Sequence, residues 1–274
     1  MNVRSGRAEL HADVFGPDVS GAGAPGVLLL HAGVADRRGW GPLVGALAPR
    51  HRGVAYDRRG FGDTTYEPEP HSPIDDALAV MDAAGLGRVV AVGNSQGGRL
   101  ALDLALIVPD RIIGLVLIGT AVRGAPVPGE LSPLLAEIDR AIDDAEAVGD
   151  LDEVNRLEAR LWLDGPEAAE GRVRGAAREL FLDMNGRALT AADPGREASL
   201  PPAWDLVGKV DVPVLVAVGE LDLPHVVERS TLLAARLPRA RLVVLPDVAH
   251  LPALEGSAAL IAAVLDFLAA FDAP

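Results

Sequence analysis

The residues with the clearest chemical potential are residues 93–97, Gly-Asn-Ser-Gln-Gly, which form a G-x-S-x-G pattern. An apolar run at residues 89–92 precedes the pattern, and a stretch predicted to be helical, residues 99–107, follows it. A serine on so sharp a strand-to-helix turn takes up strained backbone angles, and glycines two residues away on either side avoid a collision. The spacing predicts that Ser95 is a nucleophile beside the amino end of a helix, whose free amides can stabilise an oxyanion.

A serine nucleophile needs a general base, and the base needs a carboxylate that orients it. Of the six histidines, His250 lies in the loop between the last apolar run and the final predicted helix. Asp222 lies in the loop after the preceding run, with Glu220 nearby as the alternative carboxylate. Both loops follow the carboxyl ends of predicted strands, where open α/β sheets place their sites. The chain order Ser95, Asp222, His250 is the one expected for this turn, and it predicts a catalytic triad.

The elements that must position these residues alternate between short apolar runs and helical stretches, which is typical of an α/β protein. The apolar runs predict strands of a mostly parallel central sheet, buried on both faces and flanked by helices. They are residues 27–30, 89–92, 115–118, 214–218 and 242–245. Residues 7–15 predict an antiparallel strand at the sheet edge, while Ser72-Pro73 and Ser257 mark helix starts.

Residues 121–200 interrupt the alternation, because they contain helical stripes and no run that predicts a strand. Apolar residues at helical spacing occur within residues 131–142, 151–162 and 173–184. An insert of this length exceeds an ordinary crossover connection and predicts a helical cap over the sheet edge. The core is then formed by residues 1–120 and 201–274.

Several other side chains allow two interpretations. Trp40, Trp162 and Phe181 are candidate substrate-binding residues, and the alternative is a place in the hydrophobic core. Arg37 and Arg38 could hold a substrate carboxylate, although exposed arginines more often serve solubility. A histidine at the end of the first parallel strand, His31, is expected to fix the following loop by a side-chain hydrogen bond.

Composition limits the partners and cofactors that the chain can use. The 274 residues include no cysteine, which excludes disulfides, thiolate metal sites and a cysteine nucleophile. A formal net charge of −14 argues against nucleic acid or an anionic membrane as a partner. With no apolar signal or membrane segment, the sequence predicts a cytoplasmic protein that acts on a small-molecule substrate without a metal or cofactor. The oligomeric state stays open, with a homodimer among the alternatives.

From about residue 7 to residue 271, the sequence resembles the α/β-hydrolase superfamily. Besides the serine motif and the two loops, residues 31–33 (His-Ala-Gly) followed by Trp40 resemble the family's oxyanion segment. Residues 57–62, Asp-Arg-Arg-Gly-Phe-Gly, resemble its D-x-R-G-x-G turn. The resemblance implies the α/β-hydrolase fold, with a helical cap inserted after strand six.

The resemblance also implies an oxyanion hole formed by the backbone amides of Gln96 and of Gly33 or its neighbour. The chain has Ala32 and Ala249 where the family usually has glycine. Alanine would be strained by about 1 kcal/mol at either position if its φ angle were positive.

Residues and resemblance together imply a cofactor-free serine hydrolase that acts on a small ester, lactone or related carbonyl substrate through an acyl-enzyme. Serine at position 95 argues against haloalkane dehalogenase and epoxide hydrolase chemistry, for which relatives use aspartate. One alternative is a non-hydrolytic biosynthetic enzyme, such as a cyclase, decarboxylase or perhydrolase, that uses the same pocket. The other is a non-catalytic ligand-binding protein on the same fold.

Overall fold

The structure, a computed structural model, describes residues 1–18, 24–126, 129 and 132–271. Its strands are β1 (Asn2–Ser5), β2 (Ala8–Phe15), β3 (Gly26–Leu30), β4 (Gly53–Tyr56), β5 (Thr65–Tyr66), β6 (Val89–Asn94), β7 (Ile112–Ile118), β8 (Val214–Gly219) and β9 (Ala240–Leu245). Within the described residues they form one sheet of order β1-β2-β4-β3-β6-β7-β8-β9, with β5 paired to β2. The pairs that involve β2 are antiparallel, and all pairs from β4 to β9 are parallel. The mostly parallel sheet predicted from the sequence is thereby confirmed.

The unbroken apolar runs have a simple cause, since helices cover both faces of the sheet. In β3, Leu28 and Leu30 join the hydrophobic cluster on one face, while Val27 and Leu29 join the cluster on the other. Alternate side chains of a strand point to opposite faces, so a strand covered on both sides must be apolar at every position. The prediction of burial on both faces is wrong for residues 242–245, because β9 is an edge strand and Val244 is 50% exposed. The edge prediction for residues 7–15 is also wrong, because β1 pairs outside β2.

Two layers of helices cover the sheet. The helices are α1 (Gly41–Leu47), α2 (Pro73–Ala83), α3 (Gln96–Ile107), α4 (Pro133–Val148), α5 (Leu151–Glu158), α6 (Ala176–Leu189), α7 (Pro224–Arg236) and α8 (Ala258–Ala269). Apolar residues of α2, α3 and α7 pack on one face, and those of α1 and α8 pack on the other. Ser72 and Ser257 cap α2 and α8 as predicted, each hydroxyl accepting a hydrogen bond from a first-turn amide. None of the helices in the described part has the length and apolarity needed to cross a membrane.

Between β7 and β8 the chain forms α4, α5, a π-helical turn (Ala159–Asp164) and α6. If the two-residue β5 is left aside, β7 is the sixth strand, so these helices follow strand six. They share a hydrophobic cluster with the loops of the sheet, in which Phe181 and Met184 pack with Leu251 and Leu254. Leu131, the first residue of the first predicted stripe, lies outside the described residues. The assignment of residues 121–200 as a separate cap stays a prediction.

Candidate active site

Ser95 stands at the sharp turn between β6 and α3. It is one of two non-glycine residues with a positive φ in the described chain, with φ 54° and ψ −114°. A Cβ on Gly93 would lie 2.3 Å from the Gly97 carbonyl oxygen, and a Cβ on Gly97 would lie 2.0 Å from the Leu30 carbonyl oxygen. The turn is therefore too crowded for side chains at either glycine. Its strained serine, half-buried at the helix start, is held by a 2.8 Å hydrogen bond from the Ser95 amide to the Ile118 carbonyl.

Asp222 and His250 are brought together by the loops that follow β8 and β9. His250 Nδ1 lies 2.8 Å from Asp222 Oδ2, and both side chains are buried. Glu220, the alternative carboxylate, instead accepts a 3.4 Å hydrogen bond from the Asp247 amide. A carboxylate on Nδ1 places the proton there and leaves Nε2 of the neutral ring as a base. No hydrogen bond of the described residues joins the Ser95 hydroxyl to His250, and the two residues are linked through the hydrogen bond from the neighbouring Asn94 side chain to the His250 carbonyl.

The residue directly before the serine is Asn94. Its buried side-chain amide donates to the Ile118 carbonyl at 3.1 Å and to the His250 carbonyl at 3.0 Å. One side chain thus ties the strand that carries Ser95 to the end of β7 and to the loop that carries His250. The asparagine couples the position of the base to that of the serine.

Gly119, directly after β7, lies against the Asp222–His250 pair. A Cβ at this position would be 3.0 Å from Asp222 Oδ2 and 3.0 Å from His250 Nδ1, and the residue has a φ of +50°. Both the close approach and the left-handed backbone require glycine. The glycine leaves just enough room for the aspartate and the imidazole to meet.

The helical insert contacts the histidine loop directly. The Trp162 carbonyl accepts a 3.2 Å hydrogen bond from the His250 amide, and the two rings lie 4.7 Å apart between centroids. On the other side of the loop, the Glu255 carboxylate accepts from the Ala249 amide at 2.8 Å and pairs with Arg172 of the insert at 2.6 Å. The π-helical turn that carries Trp162 is a helical irregularity of the kind that often occurs at functional sites.

Sequence reasoning missed Asn94, Gly119 and Glu255 as supports of this site. Asn94 had a visible signal, because it is a polar residue at the end of an otherwise apolar strand. Gly119 directly follows another buried strand, but glycines are common at strand ends and this one gave no sign of a contact with the site. Glu255 had no signal, since its partners are identified only by the folded loop.

Gly33 and Gln96, the residues predicted for the oxyanion hole, are neighbours in the structure. A Cβ on Gly33 would lie 2.4 Å from the Gln96 side-chain nitrogen, so that side chain covers the glycine. The Gln96 amide belongs to the first turn of α3, where amides have no acceptor within the helix. Ala32 and Ala249 are unstrained, because Ser95 and Asp247 alone among the described non-glycine residues have positive φ angles. The pairing of the two amides as an oxyanion hole stays a prediction.

His31 supports the segment that carries Gly33. Its Nε2 accepts from the Arg58 amide at 3.0 Å, so the proton lies on Nδ1, which is 2.7 Å from the Ala32 carbonyl oxygen. Burial, reinforced by the charge of Arg58, lowers the pKa of His31 well below 6.5. The ring is therefore neutral and holds the loop by a hydrogen bond, as expected from the sequence.

The other candidate residues have packing or ion-pair partners. Trp40 and Phe181 are buried in two different hydrophobic clusters, and Trp40 also lines a small cavity beside Asn94 and Leu251. The role of Trp40, Trp162 and Phe181 in substrate binding stays a prediction. Arg37 pairs with Asp13 at 2.7 Å, with Asp63 at 2.9 Å and with Asp57. Arg38 pairs with Asp36 and Asp183. Both guanidinium groups already have carboxylate partners, which leaves them poorly suited to bind a substrate carboxylate.

In the described part of the chain, no group of three His, Asp or Glu side chains could hold a metal ion.

Comparisons with known proteins agree with the fold described above. The model of a family described as "Alpha/beta hydrolase family" matches residues 27–264. The chain is 30% identical over 294 residues to a 2-hydroxymuconate semialdehyde hydrolase of a Pseudomonas species, covering 100% of this chain and 99% of the relative. It is 30% identical over 262 residues to a 2-hydroxy-6-oxo-6-phenylhexa-2,4-dienoate hydrolase of Burkholderia cepacia, covering 89% and 87% of the two chains. The crystal structure of the enol-lactonase from Burkholderia xenovorans superposes with a TM-score of 0.73 at 26% identity, covering 96% and 97%.

Proposed function

Because the chain belongs to the alpha/beta hydrolase family and is a hydrolase, we propose that it cleaves a small ester, lactone or related carbonyl substrate through an acyl-enzyme on Ser95. The observation that carries the proposal is the buried 2.8 Å contact between His250 and Asp222 beside the strained turn of Ser95. The relatives named as hydrolases and the enol-lactonase neighbour support the same reaction class.

In the first half of the proposed reaction, His250 Nε2 takes the proton of the Ser95 hydroxyl while the oxygen attacks the carbonyl carbon. Asp222 accepts the Nδ1 hydrogen bond and stabilises the imidazolium that forms. The amides of Gln96 and Gly33 donate to the oxyanion of the tetrahedral intermediate. The intermediate collapses when His250 returns the proton to the leaving group, and Ser95 keeps the acyl group.

In the second half, water replaces the serine as nucleophile. His250 takes a proton from the water, which attacks the acyl carbon, and the same two amides stabilise the second oxyanion. Collapse releases the carboxylic acid and returns the proton to Ser95. The proposed cycle uses side chains and backbone amides of this chain, with a small molecule as its substrate.

A labelling and turnover experiment tests the proposal. We expect a fluorophosphonate probe to label the wild-type protein once, at Ser95, and p-nitrophenyl acetate to give a stoichiometric burst. In Ser95→Ala, labelling should disappear and kcat should fall by about 10⁴- to 10⁶-fold. Ser199→Ala is the matched control, because Ser199 is an exposed serine remote in sequence from the motif, and it should behave as wild type.

A parallel substrate screen separates hydrolysis from non-hydrolytic chemistry in the same pocket. Wild type and Ser95→Ala should be compared on acyl esters of increasing length, lactones and diketones. Loss of every turnover in Ser95→Ala supports the acyl-enzyme. Full turnover of an activated ester by Ser95→Ala would exclude it.

A further inference from the structure

A cavity adjoins the candidate active site at Gln96. It has a volume of about 270 Å³ and lies between the turn after β4, the start of α2 and the segment 188–197 that leaves α6. Tyr56, Arg58 and Phe61 line its core side. The mechanism proposed above uses none of these three side chains.

Arg58 is buried in the wall of this cavity without a carboxylate partner among the described residues. Its guanidinium donates to the Gln96 side-chain oxygen at 3.3 Å and to the His31 and Ala32 carbonyls at 3.3 and 3.2 Å. Its Nε has no acceptor, and its guanidinium carbon lies 4.6 Å from the centre of the Phe61 ring. Burial lowers the pKa of Arg58 to about 10, so the group is charged at neutral pH. Burial of a charge without a counter-charge costs free energy, so buried arginines are usually paired with a carboxylate.

Tyr56 adds a second unused donor to the same wall. Its side chain is fully buried, and its hydroxyl has no hydrogen-bond partner. Burial raises the pKa of the Tyr56 phenol, so the hydroxyl stays protonated. It can therefore donate a hydrogen bond to an acceptor that enters the cavity. Unsatisfied buried donors are rare in proteins, and an acceptor that enters the cavity would satisfy this one.

Of the other charged residues on the wall, Arg59, Asp76 and Glu197 have ion-pair partners. Arg59 holds Asp76 at 2.8 Å, and Arg99 holds Glu197 at 3.2 Å. Asp193, on the outer rim, accepts from the Gly195 amide. The unsatisfied groups are therefore donors, one of them cationic, and they complement an anion that offers several acceptor oxygens.

We propose that Arg58 and Tyr56 bind a carboxylate carried by the substrate of the proposed hydrolase. A carboxylate is a planar acceptor that suits a guanidinium and can take a further hydrogen bond from a phenol. Arg58 touches both the side chain of Gln96 and the backbone of the oxyanion segment, so the carboxylate would lie a few bonds from the reacting carbonyl. The substrate class is a short ester or lactone with a carboxylate at its far end. This inference rests on the proposed function for the reacting group.

Paired substrates test the inference. Mono-p-nitrophenyl glutarate carries the carboxylate, and p-nitrophenyl pentanoate has the same carbon number without it. We expect wild type to favour the glutarate ester at least tenfold in kcat/KM. Arg58→Met should abolish that ratio, and Tyr56→Phe should reduce it several-fold. Arg111→Met removes one positive charge at an exposed ion pair with Asp82 and should leave the ratio unchanged.

The ratio separates a binding role from a structural one. If Arg58 only supports the oxyanion segment, Arg58→Met will lower turnover of both esters equally, and the inference is wrong. A wild-type ratio near one also overturns it. Tyr56→Phe keeps the test decisive if Arg58→Met fails to fold.

A binding measurement makes the result independent of turnover. Calorimetric titration with glutarate should show binding to wild type and to Ser95→Ala, and at least tenfold weaker binding to Arg58→Met. Equal binding to all three, or to none, contradicts the carboxylate site. If neither ester is hydrolysed and Ser95 is not labelled while glutarate still binds, the proposed hydrolysis has failed and the binding site has not.

Discussion

Replacement of Gly119 by alanine tests whether the Asp222–His250 pair depends on the space that this glycine leaves. The new Cβ would lie 3.0 Å from Asp222 Oδ2 and from His250 Nδ1, closer than ordinary carbon contacts. To relieve the contact, the two side chains must move by about 0.4 Å towards the 3.4 Å at which ordinary contact begins. They must do so while they keep the 2.8 Å hydrogen bond between them.

Two effects of different size follow. Alanine in the left-handed region costs about 1–2 kcal/mol, so the free energy of unfolding should fall by that amount. A misplacement of about 1 Å in a catalytic group can cost about 100-fold in rate, so a shift of about 0.4 Å should lower kcat about tenfold. The KM for a neutral ester should change little, because the substitution faces the base and its aspartate.

Gly149 offers a matched control. It ends α4 with a φ of +73°, and a Cβ there would meet nothing within 4 Å. Gly149→Ala should therefore lose the roughly 1–2 kcal/mol of the left-handed backbone while it keeps wild-type kcat, and Gly119→Ala should lose at least as much. Urea unfolding and steady-state hydrolysis of p-nitrophenyl acetate measure the two quantities. Wild-type kcat in Gly119→Ala would refute the reasoning.

Three further predictions concern the supports of the site. Asn94→Leu leaves the His250 carbonyl without a donor and takes one of two donors from the Ile118 carbonyl. Urea unfolding should therefore show a loss of about 1–3 kcal/mol, with a lower kcat, and an unchanged stability would rule out the role given to this amide. Glu255→Gln keeps an acceptor for the Ala249 amide of the histidine loop but breaks the ion pair with Arg172. We expect kcat to fall about threefold, and an unchanged kcat would contradict the role of the ion pair. The depressed pKa of His31 means that, below pH 6.5, the unfolded chain binds a proton that the folded chain does not. The free energy of unfolding should therefore decline as pH falls below that value, by at most about 1.4 kcal/mol per pH unit for this residue. Urea denaturation of wild type and His31→Gln at several pH values below 6.5 measures how the free energy of unfolding of each protein depends on pH. The same pH dependence in both proteins would contradict the prediction.

Local patterns account for much of the agreement between sequence and structure. The strands β3, β6, β7 and β8 appear in the sequence as unbroken apolar runs because both faces of the sheet are covered. Strands β1 and β4 were missed because each has four residues, too few for a clear period. The turn of Ser95 could be predicted because Gly93 avoids a collision with Gly97, which is close to it in sequence, whereas the contact of Gly97 with the Leu30 carbonyl could not be foreseen.

The sequence by itself determined the strands β3, β6, β7 and β8, the turn of Ser95 and the pair of loops on which Asp222 and His250 lie. Each of these follows from residues within a few positions of one another, where covalent geometry and periodic burial limit the choices. Only the tertiary structure decided which groups support the site. Asn94 reaches a carbonyl 156 positions away, and Gly119 makes room for two side chains from other loops. Arg37 has carboxylates at ion-pair distance, whereas Arg58 has none among the described residues. Hydrogen bonds and ion pairs act over about 3 Å in space, and distance along the chain does not reveal which groups come that close.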